Sequence, residues 1–179
     1  NNAINENTKM IILNYPNNPT GKIIPAKLQN DIMQIAREHD LYVLSDEIYD
    51  EYIVWSTAAG LTSAVREWES VITNGYEKSI VTKSFSKSHA MTGYRIGFAI
   101  AESSIIEKMS KLQALSLTNV SEPIQYIALQ ALKADISKNT ETIKSRLEVL
   151  VKIAKDIGLE FIEPDGAMYL FAKTKYKNF

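Results

Sequence analysis

The stretch Ser84-Phe85-Ser86-Lys87-Ser88-His89-Ala90-Met91-Thr92-Gly93-Tyr94-Arg95-Ile96-Gly97 decides how the rest of the chain is read. Lys87 comes after an apolar run that contains Ile80 and Val81, sits among small hydroxyl residues, and precedes Arg95 by eight positions (95 − 87). A lysine amine condenses with an aldehyde to a Schiff base once burial or a neighbouring charge has taken its proton. Hydroxyls and an arginine beside it suit a dianionic phosphate, which the guanidinium grips through its planar fork of donors. Taken alone, Lys87 reads first as a surface lysine in a Ser-rich loop, where most lysines are found.

Upstream, residues 9–15 (KMIILNY) form a short apolar run that suits a buried parallel strand, closed by Pro16-Asn17-Asn18-Pro19-Thr20-Gly21. Two prolines, two asparagines and a glycine in six residues dictate a turn whatever the function. Residues 41–45 give the next strand, with Asp46-Glu47-Ile48-Tyr49 at its carboxyl end. Ligands of open α/β sheets bind beyond the carboxyl ends of parallel strands, which makes Asp46 a functional candidate. The plain alternative is a helix N-cap after a strand. Glu47, Asp50 and Glu51 read as solvated charge.

Three of these segments together resemble the class I/II aminotransferases, the fold-type I enzymes that use pyridoxal 5'-phosphate, in the aspartate/aromatic branch. Ser84-x-x-Lys87 with Gly93 and Arg95 matches the family's lysine motif, Asn18-Pro19-Thr20-Gly21 its Asn-Pro-x-Gly motif, and Asp46-x-x-Tyr49 its Asp-x-x-Tyr motif. The interval from Asn18 to Asp46 (46 − 18 = 28) fits as well, and Pro164-Asp165-Gly166-Ala167-Met168-Tyr169 resembles a fourth family stretch. The resemblance implies roles. Lys87 anchors the cofactor and then acts as acid and base. Asp46 pairs with the pyridine nitrogen, Asn18 and Tyr49 donate to the phenolic oxygen, and Ser84, Ser86 and Arg95 hold the phosphate.

The implied activity is transfer of an amino group between an amino acid and a 2-oxo acid, with a homodimer at full length. Carbon–sulfur lyases and the cofactor-sensing half of some transcription regulators share the scaffold and stand as alternatives. The implied fold is α/β: part of a three-layer α/β/α large domain, with a mostly parallel sheet and one antiparallel strand, plus the start of a small α+β domain. The division falls at residues 1–137 and 138–179. Family members run to about twice this length, so a central fragment with little activity of its own is expected.

Composition narrows the classes. The 179 residues are 45% hydrophobic and 23% charged, ordinary for a folded domain. A formal net charge of −1 gives no reason to expect nucleic acid or an anionic membrane as partner. No run approaches the roughly 20 apolar residues of a spanning helix. The chain has no cysteine, and His39 and His89 have no metal-like spacing, so a cytoplasmic protein without a metal site is expected.

The remaining pattern predicts helices at residues 25–38 (inner face Leu28, Ile32, Ile35, Ala36), from 104 to before a loop at 116–120 (capping box Ser104 to Glu107; inner face Ile105, Met109, Leu112), 121–133 and 139–157 (Ile143, Leu147, Leu150, Ala154, Ile157), the last stopped by Gly158. Further strands are expected at 79–82, 94–101, 159–162 and 167–172. Residues 51–78 are the least readable, with Trp55 and Trp68 as packing residues, Gly60, a short helix at about 64–70 and a turn at Asn74-Gly75.

Overall fold

The computed structural model describes residues 3–53 and 68–174. Trp55, Gly60 and most of the expected 64–70 helix lie outside them. The frame is a four-stranded sheet in the order β1-β2-β3-β4, with β1 Met10–Asn14, β2 Tyr42–Asp46, β3 Ser79–Ser84 and β4 Gly97–Ala101. β1, β2 and β3 are parallel, and β4 runs antiparallel to β3. This is an α/β fold with a mixed sheet. In-register rows tie Asn14 to Asp46 and Asp46 to Thr82, so the carboxyl ends of three strands finish on one line. Because β4 is reversed, its amino end joins that line through the Ser84–Gly97 pair.

The buried cluster under the sheet holds Leu13, Met33, Ala36, Leu41, Val43, Val71, Tyr76 and Val81. Helix α1, Ala26–Glu38, covers it through Gln29, Met33 and Ala36 with Ile32 packed beside them, so the expected stripe holds at Ala36 and Ile32, but Leu28 is 49% exposed. Gln29 belongs to the inner face because its amide donates to the Glu69 carbonyl at 2.9 Å, a partner invisible to hydropathy. Pro25 is the N-cap residue, just outside the helix. Trp68 packs on Ile23 and Ile53, as expected of a packing residue, and Gly75 closes a 3-10 turn with φ +64.

Helix α2, Ser103–Leu117, starts one residue earlier than expected, with Glu102 as N-cap and no side-chain cap, so the Ser104–Glu107 box does not form. It buries no residue, and Met109 and Leu112 are exposed: among the described residues nothing lies over them. Helix α3 is Glu122–Ala131 and helix α4 is Ser137–Asp156. α4 buries Leu147 and Ala154 while Leu150 and Ile157 stay outside, and Gly158 with φ +67 stops it. The strand expected from residue 94 begins only at Gly97, because Thr92–Tyr94 is a 3-10 turn and Arg95 adopts φ 52, which extended backbone excludes. The last two strands shrink to β5 Phe161–Ile162 and β6 Phe171–Ala172, the second delayed by Ala167 at φ 59. No helix among the described residues is long and apolar enough to cross a membrane.

Candidate active site

Ser84 is the last residue of β3, Tyr49 and Lys87 follow the ends of β2 and β3, Asn18 follows the end of β1, and Arg95 precedes the start of β4. Asp46 is the last residue of β2, and the chain runs on into a turn and a 3-10 turn at Asp50–Tyr52, so the N-cap alternative fails for want of a helix. Its carboxylate instead accepts from the Asn14 amide at 3.0 Å and from the Thr82 hydroxyl at 3.4 Å, one neighbour on each flanking strand. Two donors fix its plane, and the register of β1, β2 and β3 supplies both.

Asn14 does more than hold Asp46. Its side-chain oxygen accepts from the Asn18 backbone N–H at 3.0 Å and from the Asn17 amide at 3.3 Å. The next turn is tied internally, Gly21 N donating to Asn17 O at 2.8 Å and Thr20 Oγ1 to Asn17 Oδ1 at 2.6 Å. Asn18 itself is exposed, and its amide makes no hydrogen bond among the described residues. The sequence reading missed Asn14. Its signal was a polar residue ending an apolar strand directly before the proline turn.

Tyr49 is 2% exposed, its ring edge-on to Tyr169 with centroids 5.4 Å apart and its hydroxyl hydrogen-bonded to the Tyr169 hydroxyl. Burial above all pushes the Tyr49 phenol well above its ordinary pKa, so it keeps its proton and can donate. Lys87 Nζ stands 6.0 Å from the centre of the Tyr49 ring. Among the described residues that ammonium has no ion pair and no hydrogen bond. The lysine's backbone is pinned instead: Tyr52 Oη donates to its carbonyl at 2.6 Å, and so does Ala90 N at 2.9 Å. Burial also raises the Tyr52 pKa.

Ser84 Oγ donates to Ile96 O at 3.3 Å and accepts from Ser86 N at 3.1 Å, which folds the loop before Lys87 back on itself. Arg95 is exposed, with Nη1 donating to Thr92 O at 3.1 Å. The Ser84 hydroxyl and the Arg95 guanidinium are thus each bonded to a backbone carbonyl, whereas Ser86 enters these contacts through its own backbone. A cavity of about 530 Å3 near Phe85, Phe98, Val120 and Leu132 is lined by none of the seven candidate residues.

Two acidic residues read as solvated are not. Glu47 is 1% exposed; Oε1 accepts from Val71 N at 3.1 Å and Oε2 lies 4.0 Å from Lys83 Nζ without a hydrogen bond. Asp50 pairs with the same Lys83 ammonium, so the two carboxylates share one cation between the ends of β2 and β3. Lone charges are not buried, and here the partner comes from another strand.

A lysine without an ion pair among the described residues, a twice-held carboxylate, a buried phenol, an exposed amide and a hydroxyl-rich loop with an arginine thus follow or flank the carboxyl ends of the parallel strands. The family model described as Aminotransferase class I and II matches residues 1–177, and the chain belongs to that family. It is 32% identical over 168 residues to an aspartate aminotransferase of Thermotoga maritima, covering 94% of this chain and 42% of the relative. With an aspartate aminotransferase of Pyrococcus horikoshii it shares 37% over 174 residues, again 94% and 42%. The crystal structure of the Thermotoga maritima aspartate aminotransferase superposes with a TM-score of 0.81 at 34% identity, over 94% of this chain and 43% of that one. A double mutant of the Thermus thermophilus aspartate aminotransferase gives 0.85 at 29% identity, over 97% and 44%. The chain thus spans less than half the length of the relatives it matches.

Proposed function

We propose that these residues are the cofactor-binding core of an aminotransferase that uses pyridoxal 5'-phosphate to move an amino group between an amino acid and a 2-oxo acid. The observation that carries the reading is the row Asn14–Asp46–Thr82 with the unpaired Lys87 ammonium 6.0 Å from the Tyr49 ring beside it. When bound, the cofactor supplies an aldehyde for covalent attachment and a ring that takes up negative charge. Asp46, held by two donors, keeps the ring nitrogen protonated. Asn18 and Tyr49 donate to the phenolic oxygen, an amide and a neutral phenol that bring no competing charge. Ser84 and Arg95 would release their backbone acceptors and, with Ser86, take the phosphate. Lys87 anchors the cofactor and afterwards carries a proton at Nζ to and from the substrate carbon.

In this reading residues 1–137 belong to a large cofactor-binding domain and 138–179 open a smaller one, and the full-length protein works as a cytoplasmic homodimer. The relatives' names support the amino acid and 2-oxo acid pair. The test is an exchange assay on the protein at its full natural length, with pyridoxal phosphate, an amino acid donor and a 2-oxo acid acceptor. Amino-group exchange that drops by about 100-fold or more in Lys87→Ala supports the assignment. Release of ammonia and pyruvate without exchange would move it to a lyase.

A further inference from the structure

Tyr169 lies in the segment 164–169, to which the proposed function gives no role. Its hydroxyl is hydrogen-bonded to that of Tyr49, and its ring meets the Tyr49 ring edge-on at 82°. The segment is anchored, though not to Tyr49. The Gly21 carbonyl accepts from Asp165 N at 2.8 Å and Gly166 N at 2.9 Å, the 5%-exposed Asp165 accepts from Ile23 N at 3.2 Å, and its carboxylate pairs with Lys22 Nζ at 2.7 Å. Gly166 bridges Ile53 on the other side. The chain carrying Tyr169 is thereby tied to the turn that carries Asn18, while its hydroxyl holds Tyr49.

We propose that Tyr169 is a positioning residue for the reaction at Lys87: by donating its hydroxyl proton to Tyr49 it turns the Tyr49 proton toward the place where Asn18 also donates. An O–H that accepts a hydrogen bond becomes the stronger donor, so the pair acts as a two-hydroxyl relay ending on a phenolate oxygen. The inference rests on the cofactor reading, and its test separates the two. A donor on that oxygen favours the form in which the nitrogen of cofactor-bonded Lys87 has lost its proton, so weakening the donor raises the pH at which the visible band titrates.

The experiment is a spectrophotometric pH titration of the full-length protein loaded with pyridoxal phosphate. If the unaltered protein develops no visible band, the cofactor reading fails and the relay with it. With the band present, Tyr169→Phe is expected to keep it and move its midpoint up by about half to one pH unit, the equivalent of one hydrogen bond. In a Tyr49→Phe background the same change is expected to do nothing further. An unmoved midpoint in Tyr169→Phe, or equal shifts in both backgrounds, overturns the relay while leaving the cofactor reading intact. Should Tyr169→Phe fail to fold, 3-fluorotyrosine at position 169, a better donor of the same shape, is expected to lower the midpoint; no movement overturns the proposal.

Discussion

The side-chain amide of Asn14 and the carboxylate of Asp46 face each other in register across β1 and β2, Nδ2 donating to Oδ2 at 3.0 Å. One residue thereby orients the carboxylate and, through its other amide atom, the turn that presents Asn18. Asn14→Leu removes a donor to a charged acceptor, an interaction worth about 1.5–3 kcal/mol. Pyridoxal phosphate affinity of the full-length protein, measured by fluorescence titration, is expected to fall by about tenfold or more. Unchanged affinity would separate Asn14 from the site.

Lys83 compensates Glu47 and Asp50, and it cannot be removed as easily as either. Lys83→Met leaves the Glu47 carboxylate buried without a cation, and a loss of about 2 kcal/mol in urea unfolding is expected, less than for a fully enclosed pair because Lys83 remains a quarter exposed. Glu47→Gln keeps an acceptor for Val71 N and removes the charge, so it is expected to be the milder change. The reverse order would refute this account of the cluster.

Gly21 is irreplaceable for two reasons at once. Its φ is +69, and a Cβ there would lie 2.6 Å from Pro164 Cβ and 3.0 Å from the Gly166 carbonyl oxygen. Gly21→Ala is expected to lower stability by about 1–3 kcal/mol, and to weaken protection of the Asp165 and Gly166 amides in hydrogen exchange. A neutral effect would show that the 164–169 segment is not seated as described.

Alkaline pH tests the buried tyrosines. Tyr49, Tyr52 and Tyr76 all have raised pKa values, with burial the leading cause. Above about pH 10 the unfolded chain gives up these protons while the folded one keeps them. The native state then binds more protons, so stability falls as pH rises through that window and is level below it. Urea midpoints measured from pH 8 upward are expected to decline only beyond about pH 9.5, where the first unfolded-state tyrosines ionise.

Where each partner lies decides how much of the molecule can be read from its sequence. Strands written as apolar runs, and turns written in proline, asparagine and glycine, are local, and β1 to β4 fall where residues 9–15, 41–45, 79–82 and 94–101 placed them, to within a few residues. The candidate site residues could be named because each belongs to a local motif, and Asp46 and Ser84 end β2 and β3. Glu47 was misread because its compensating cation, Lys83, arrives from another strand. Asn14 was passed over, and Tyr169 left without a role, for the same reason: their partners Asp46 and Tyr49 are 32 and 120 residues away. The inner face of α1 was right at Ile32 and Ala36 but missed Gln29, which is buried by a hydrogen bond rather than by hydropathy. The apolar side of α2 is exposed among the described residues, a fact of packing that periodicity cannot foretell.

The central claim is that Lys87 carries the cofactor, and one measurement addresses it directly. The full-length protein is incubated with pyridoxal phosphate, reduced with borohydride, digested and analysed by peptide mass spectrometry. The account predicts a single phosphopyridoxyl label on Lys87, lost in Asp46→Ala together with the visible band. A label on Lys83 or elsewhere with Lys87 unmodified, or no label at all, would contradict it.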